Sequence, residues 1–440
     1  MNQIASLPAR LTSFLLLVLT LTLSTGCQST TDANTTSKAD YRVPRDQPKA
    51  ITQRVMLGID VLAAKGFETL RGQRVGLVVN PASVDGNLKS TVDVLIDGQA
   101  QGGYQLVALF GPEHGVWGDV YAGDKIDDQK DPRTGLPVFS LYGDTRKPTP
   151  EMLENLDVLI FDMQDIGSRS YTYISTMSVC LEASAEQNKR FIVLDRPNPL
   201  GGTRVEGPML DPELRSFIGY LDVPYIHGMT MGELAQLERD RIAPTYDGLE
   251  VIQMKYWTRD MVWEDTGLEW VPTSPHIPFA SSTYAYAATG VLGELLVMSN
   301  GVGYTLPFEI VGDTGVDPDA LAAALNNSPL AIKGVTYRPA RFRPFYATHQ
   351  GEVLGGVQIY IDPRHAESLY QINFLILNEL DAQTQLAEGE KRHGMFDKAN
   401  GTTAVRTWIE QGKPLDELFA QWERDSQAFH ISRLAYLLYQ

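Results

Sequence analysis

Cysteine is nearly absent from this chain, with two in 440 residues. One of them, Cys27, closes an apolar leader, so Cys180 has no partner and an internal disulfide framework is excluded as the basis of the fold. A buried apolar role is the better reading of Cys180. Positive charge is also short: Lys and Arg number 37 against 54 Asp and Glu, a net charge of −17 at pH 7. Such a balance repels nucleic acid and anionic lipid surfaces, and neither is expected as a partner. A compact HExxH zinc motif, a GxGxxG dinucleotide turn, internal repeats and coiled-coil heptads are all lacking. No metal or organic cofactor is therefore expected. A metal-dependent hydrolase remains an alternative only through ligands drawn from the scattered His114, Asp119, Asp162, Asp165 and His227.

The leader is itself informative. Leu11 to Leu23 is largely apolar, follows Arg10 and runs into Ser24-Thr25-Gly26-Cys27. It is shorter than the ~20 residues a spanning helix needs. It resembles a bacterial lipoprotein signal, which implies removal of residues 1–26 and lipidation of Cys27. Gln28 after the cysteine resembles the outer-membrane sorting pattern, so the expected location is the periplasmic face of the outer membrane, with attachment through the lipid on Cys27 only. Residues 27–50 are polar and without periodicity, a tether lifting the folded part off the membrane.

From residue 51 to 272 strand-like apolar runs alternate with helical stretches. The runs are Arg74 to Val79, Leu106 to Phe110, Val138 to Tyr142, Asp157 to Asp162, Phe191 to Asp195 and Leu249 to Met254. Helical patterns lie at Thr149 to Asn155, Tyr171 to Gln187 and Thr230 to Arg241, the first and last opening on a Thr cap with a carboxylate in the first turn. This alternation predicts an α/β fold with a Rossmann-like, doubly wound, mainly parallel sheet. After a proline-rich crossing, Trp270 to Pro278, the pattern changes. Residues 273–440 carry helices near Tyr286 to Ser299, Pro318 to Asn326, Ser368 to Leu380 and Leu415 to Phe429, with strands at Val335 to Phe342 and Gly356 to Ile361, a smaller α+β domain. The expected active-site cleft lies between the two.

Polar residues gather where the first domain's strands end. Asn80 follows the first strand, Glu113 and His114 the second, Asp162 and Asp165 another, and Asp195, Arg196 and Asn198 another. In open α/β sheets that rim is where ligands bind. A single Asp at a strand end is usually a cap; four such ends on one rim point to chemistry. Glu113 is the sharpest candidate, since Gly111 and Gly115 flank a loop that breaks abruptly from the run LVALF.

GLVVNPASVD, LVALFGPEHGVWGD, DVLIFDMQDIGSRSYTYISTM, VLDRPNPLGG and HGMTMGELA, in this order, resemble the NamZ-type exo-β-N-acetylmuramidases, and the likeness runs from about residue 54 to the closing YLLY. The resemblance implies an exo-acting glycoside hydrolase that removes N-acetylmuramic acid, or a related amino sugar, from the non-reducing ends of peptidoglycan fragments, acting alongside other cell-wall hydrolases. Glycoside cleavage needs an acid for the leaving oxygen and a group that stabilises the oxocarbenium-like centre. Glu113 is assigned the first role; the alternative is a turn cap or an ion pair. His114 can orient that acid, bind a hydroxyl or satisfy a buried hydrogen bond. Asp162, Asp165 and Asp195 are open as base, nucleophile or orienting group, and a carboxylate such as Asp165 or Asp162 can hold a 2-acetamido group that itself attacks the anomeric carbon.

Arg169 and Arg196 suit the carboxylate of a lactyl ether, or else pair with Asp165 or Asp195. Tyr171 and Tyr173 offer hydroxyls or a stacking face. Asn80, Asn198, Glu206, His227 and His276 complete the candidate sugar contacts. Many family members carry two arginines where this chain has Val302 and Leu306, and Asn where it has His276, which leaves the exact sugar open. The alternative from another class is a lipid-anchored solute-binding protein for cell-wall sugars, also two α/β lobes about a cleft.

Overall fold

The computed structural model describes residues 53–118 and 129–440; Cys27, the tether and Asp119 fall outside them. The first sheet contains β1 (Arg74–Val79), β2 (Gln105–Gly111), β3 (Gln129–Lys130), β4 (Pro137–Ser140), β5 (Val158–Asp162), β6 (Arg190–Leu194) and β7 (Leu249–Ile252), in the spatial order β3-β4-β2-β1-β5-β6-β7. All its pairings are parallel except that of β3 with β4. β5 (VLIFD) is buried throughout and β1 (RVGLVV) at every position but the first, as continuous apolar strands must be when helices cover both faces. The doubly wound sheet expected from the alternation is the one the chain forms.

Around it lie α1 (Gly58–Ala64), α2 (Thr91–Gly102), α3 (Pro150–Leu153), α4 (Tyr173–Glu186) and α5 (Met231–Ile242). Thr149 caps α3, and Thr230 with Glu233 forms a capping box on α5. Helix α2 was not legible in the sequence because its glycines weaken the pattern. Gly98 serves packing: a Cβ there would run into the Phe67 ring. Cys180 is fully buried on α4, where burial pushes its thiol pKa up.

The carboxyl-terminal part has α6 (Ser281–Gly293), β8 (Ile310–Asp313), α7 (Pro318–Asn326), β9 (Val335–Phe342), β10 (Leu354–Ile361), α8 (Tyr370–Glu379), α9 (Ala382–Glu388), α10 (His393–Asn400), α11 (Ala404–Glu410) and α12 (Leu415–Ser432). In the second sheet β10 lies between β8 and β9, antiparallel to both. Helix α6 begins and ends earlier than the pattern predicted. Leu296 takes a left-handed φ of 56° just beyond it, and Asn300 folds back to donate to the Thr289 carbonyl at 3.3 Å.

The described residues belong to one compact unit, and the cores show why. Leu200, Tyr225 and Ile226, from the first half, sit in the core around α6 and α8; Ala285, Phe308 and Phe429, from the second, sit in the core around β5 and α4. The last residues return to the first sheet. The Leu438 amide donates to Glu233 at 2.8 Å and the Tyr439 hydroxyl to Asp195 at 2.6 Å.

Candidate active site

The order of strands fixes where a ligand can sit. β1 lies between β2 and β5, so the connection leaving β1 for β2 and the one leaving β5 for β6 diverge to opposite sides and open a crevice at the strands' carboxyl ends. Asn80, after β1, and Gln164 and Asp165, after β5, meet across that crevice, the Asn80 amide lying 3.5 Å from the Gln164 carbonyl. Glu113 and His114 come in from β2.

Glu113 is half-buried on the loop after β2, and the Thr172 hydroxyl donates to its Oε2 at 2.8 Å. Tyr142, beyond β4, places its phenol close to the same carboxylate; its pKa is pushed up to about 12, mainly by burial and then by the Glu113 charge. His114 takes a left-handed φ of 71° and Gly115 one of 76°, closed by a Gly115 amide to Pro112 carbonyl bond of 2.9 Å. A non-glycine residue held there carries strain of the kind found at functional sites. The buried His114 neighbours His276, whose pKa is pushed down by desolvation and then by the His114 charge. His276 Nε2 lies 2.5 Å from the Tyr346 hydroxyl.

Asp165 is the other notable acid. The Gly167 amide donates to its Oδ2 at 2.7 Å, while Oδ1 is buried and finds no partner among the described residues. Burial pushes its pKa up to about 7. Tyr171 and Tyr173 wall this space, their rings 4.8 Å apart and edge to face, and both are tied to Thr273: Tyr171 Oη lies 2.8 Å from its hydroxyl and Tyr173 Oη donates to its carbonyl at 2.7 Å. Burial pushes the Tyr173 phenol up, and the charges of Glu113 and Asp165 add to the effect.

The remaining expected site residues are held by the protein itself. Asp162 is fully buried in a bidentate pair with Arg196, at 2.5 Å to Nε and 2.8 Å to Nη2, and Thr91 donates to it at 2.5 Å. Arg196 thus pairs with Asp162 rather than with Asp165 or Asp195. Asp195 accepts from the Arg196 and Gly232 amides and from the Thr230 and Tyr439 hydroxyls, anchoring α5 and the chain's last residues. Arg169 pairs with neither expected acid: fully buried, it donates to the carbonyls of Pro208, Val223 and Asn400. Without a counter-charge, desolvation pushes its pKa down to about 10.

Asn198 donates to the Met229 carbonyl and accepts from the Leu200 amide. Glu206 caps α8 through Ser368, Leu369 and Tyr370 and lines a cavity of ≈ 480 Å3, beside Arg204 and Trp422, whose walls include none of Asn80, Glu113 and Asp165. His227 Nδ1 accepts from the Met229 amide, and burial pushes its pKa down to about 3, so it is a neutral interior imidazole. Among the described residues no three His, Cys, Asp or Glu side chains gather as metal ligands.

Tyr142, Arg146, Thr172 and Thr273 escaped the sequence reading. Tyr142 had a visible sign, since it ends a predicted strand on the same rim. Arg146 follows shortly after and packs against two rings, its guanidinium carbon 4.9 Å from the Tyr142 centroid and 4.4 Å from that of Phe217. Val302 and Leu306 are partly buried packing residues, Val302 against the core around α4 and Leu306 against Ile310, Phe342 and Leu354.

Two family models match nearly the whole described chain: "Exo-beta-N-acetylmuramidase NamZ, N-terminal" over residues 75–281 and its C-terminal counterpart over 284–439. A peptidoglycan beta-N-acetylmuramidase NamZ of Bacillus subtilis is 43% identical over 386 residues, which span 88% of this chain and 92% of that protein. A crystal structure of a DUF1343 family protein from Bacteroides fragilis superposes with a TM-score of 0.81 at 44% identity, over 88% of this chain and 99% of its own. A second protein of that family from the same organism gives 0.67 at 30% identity with the same coverage.

Proposed function

Because the chain belongs to the NamZ exo-β-N-acetylmuramidase family, we infer that it is a glycoside hydrolase that removes N-acetylmuramic acid from the non-reducing ends of peptidoglycan fragments. The observation that carries the mechanism is the contrast among the rim acids: Asp162 and Asp195 have both carboxylate oxygens bonded, whereas Asp165 keeps one buried oxygen unpartnered among the described residues. Glu113 protonates the leaving oxygen. The substrate's acetamido oxygen attacks the anomeric carbon from the opposite face, and Asp165 Oδ1 accepts the acetamido N–H, orienting the group and stabilising the positive charge it gains. Water then opens the intermediate, with Glu113 taking its proton. Asn80, Tyr171 and Tyr173 line the sugar's place.

With the leader read as a lipoprotein signal, the enzyme stands at the periplasmic face of the outer membrane and trims fragments that other hydrolases release. Metabolic labelling with a clickable fatty acid is expected to mark the wild type and not Cys27→Ser; equal labelling removes this part of the reading.

The catalytic assignment is tested with protein lacking residues 1–27, a chromogenic N-acetylmuramide and muramyl-headed disaccharides. Wild type releases free N-acetylmuramic acid and Glu113→Gln does not. No release by the wild type ends the muramidase reading, and equal release by the variant removes Glu113 as the acid. Tight sugar binding without turnover would favour a solute-binding protein. Against that alternative stand the shared cores and the Tyr439 to Asp195 bond, which join the two halves that a solute-binding protein must hinge apart.

A further inference from the structure

A muramyl sugar differs from its glucosamine counterpart by a lactyl ether that ends in a carboxylate, and a muramidase needs a cation to read it. Arg169 is spent on backbone carbonyls and Arg196 on Asp162, and positions 302 and 306 pack as apolar side chains. We propose that Arg146 is the specificity residue for that carboxylate, presented as a flat, preset fork beside Glu113. The proposal rests on the muramidase reading.

Two aromatic rings form a corner that positions the guanidinium. The Tyr142 and Phe217 rings stand 6.2 Å apart with the guanidinium against both. The Ser175 hydroxyl on α4 pins the Phe217 carbonyl at 2.7 Å, so the outer ring is fixed to the same helix whose start presents Thr172 to Glu113. Arg146 itself is exposed beside the two rings, and a guanidinium can meet a planar carboxylate bidentately. Among the described residues no Asp or Glu forms an ion pair with Arg146, although the chain carries 54 of them. Tyr142 neighbours both Arg146 and Glu113, which brings the cation and the assigned acid to the same ring. In so acidic a molecule, an exposed cation at this place selects for an anionic substrate rather than attracting anions broadly.

The test compares two glycosides with the same leaving group, an N-acetylmuramide and its lactyl methyl ester, on wild type, Arg146→Met and Arg146→Lys. Loss of a bidentate, charge-assisted contact is expected to raise KM for the acid by roughly 10- to 100-fold in Arg146→Met, with kcat and the ester's KM changed by no more than about two-fold. Arg146→Lys falls between, because the charge remains and the fork is lost. Equal losses on acid and ester, or no change on either, overturn the proposal. Calorimetric binding of free N-acetylmuramic acid and N-acetylglucosamine gives a readout that needs no turnover. Preference for the acid that disappears in Arg146→Met supports the role of Arg146 even if the wild type cleaves nothing, an outcome that would sink the muramidase reading alone. An unchanged preference overturns it.

Discussion

Asp195, at the end of β6, and Asp165, just past the end of β5, are both buried acids on one rim, and desolvation pushes both pKa values up, to about 6 and about 7. Their surroundings differ. Asp195 collects two amides and two hydroxyls, one of them from Tyr439, whereas Asp165 keeps Oδ1 buried and without a partner among the described residues. Burial therefore does not distinguish these two acids; their hydrogen bonding does. Asn198, Arg196 and its partner Asp162 spend their polar atoms on the fold, while Asp165, three residues past Asp162, holds one in reserve. Reserving it costs stability, since an unpaired buried polar atom keeps its desolvation penalty.

The largest expected effect falls on the assigned acid. Glu113→Gln should lower kcat by about 100- to 10,000-fold, the usual worth of a positioned acid, with an unchanged denaturation midpoint. A midpoint that falls with activity would move Glu113 to the scaffold. Among the completed bonds, Arg196→Met strands the buried Asp162 carboxylate and should cost about 3–5 kcal/mol in urea unfolding, while the molecules still folded keep their turnover. Loss of turnover without loss of stability would reverse the comparison.

Asp165→Asn sharpens it further, because here activity and stability should part. In the folded protein the Asp165 pKa is raised above its ordinary value of 3.8 to about 7. The folded state then binds this proton more tightly than the unfolded one. Its contribution favours folding most below pH 4 and fades as pH climbs through 7. Asparagine removes that slope, so the variant should be more stable than wild type at pH 8, by up to about 4 kcal/mol, yet nearly inactive. The wild type's kcat/KM should fall on the acid side with an inflection near pH 7 that the variant lacks. A less stable variant at pH 8 would place Asp165 with Asp195. The smallest effect is Tyr439→Phe, which takes one of several donors from Asp195 and should cost about 1 kcal/mol by calorimetry, with no change in kinetics.

This division also marks what one sequence can reveal. The parallel strands were legible because buried strands are apolar end to end, and the rim followed from where those runs stop. Which rim acids are neutralised was not legible, because their donors lie far along the chain: Thr91 for Asp162, Thr230 and Tyr439 for Asp195. Arg169 looked like a ligand for the same reason, its acceptor at Asn400 being 231 residues away. The helices α9, α10 and α11 went unread because none exceeds eight residues, too few for periodicity to register. Tyr142 lay in plain view as a predicted strand's last residue, but Arg146 gained meaning only from its contact with Phe217, 71 residues along the chain.

Cys180 offers a practical dividend. Without residues 1–27 the chain has a single thiol, sealed inside α4, the helix whose start presents Thr172 to Glu113. A thiol reagent should ignore it until that helix comes away from the sheet, so the pace of modification times the scaffold's opening from within. The same silence leaves any cysteine introduced at exposed Trp117 or Phe345 as the sole target of a fluorophore, and the molecule becomes its own reporter of sugar arriving at the crevice.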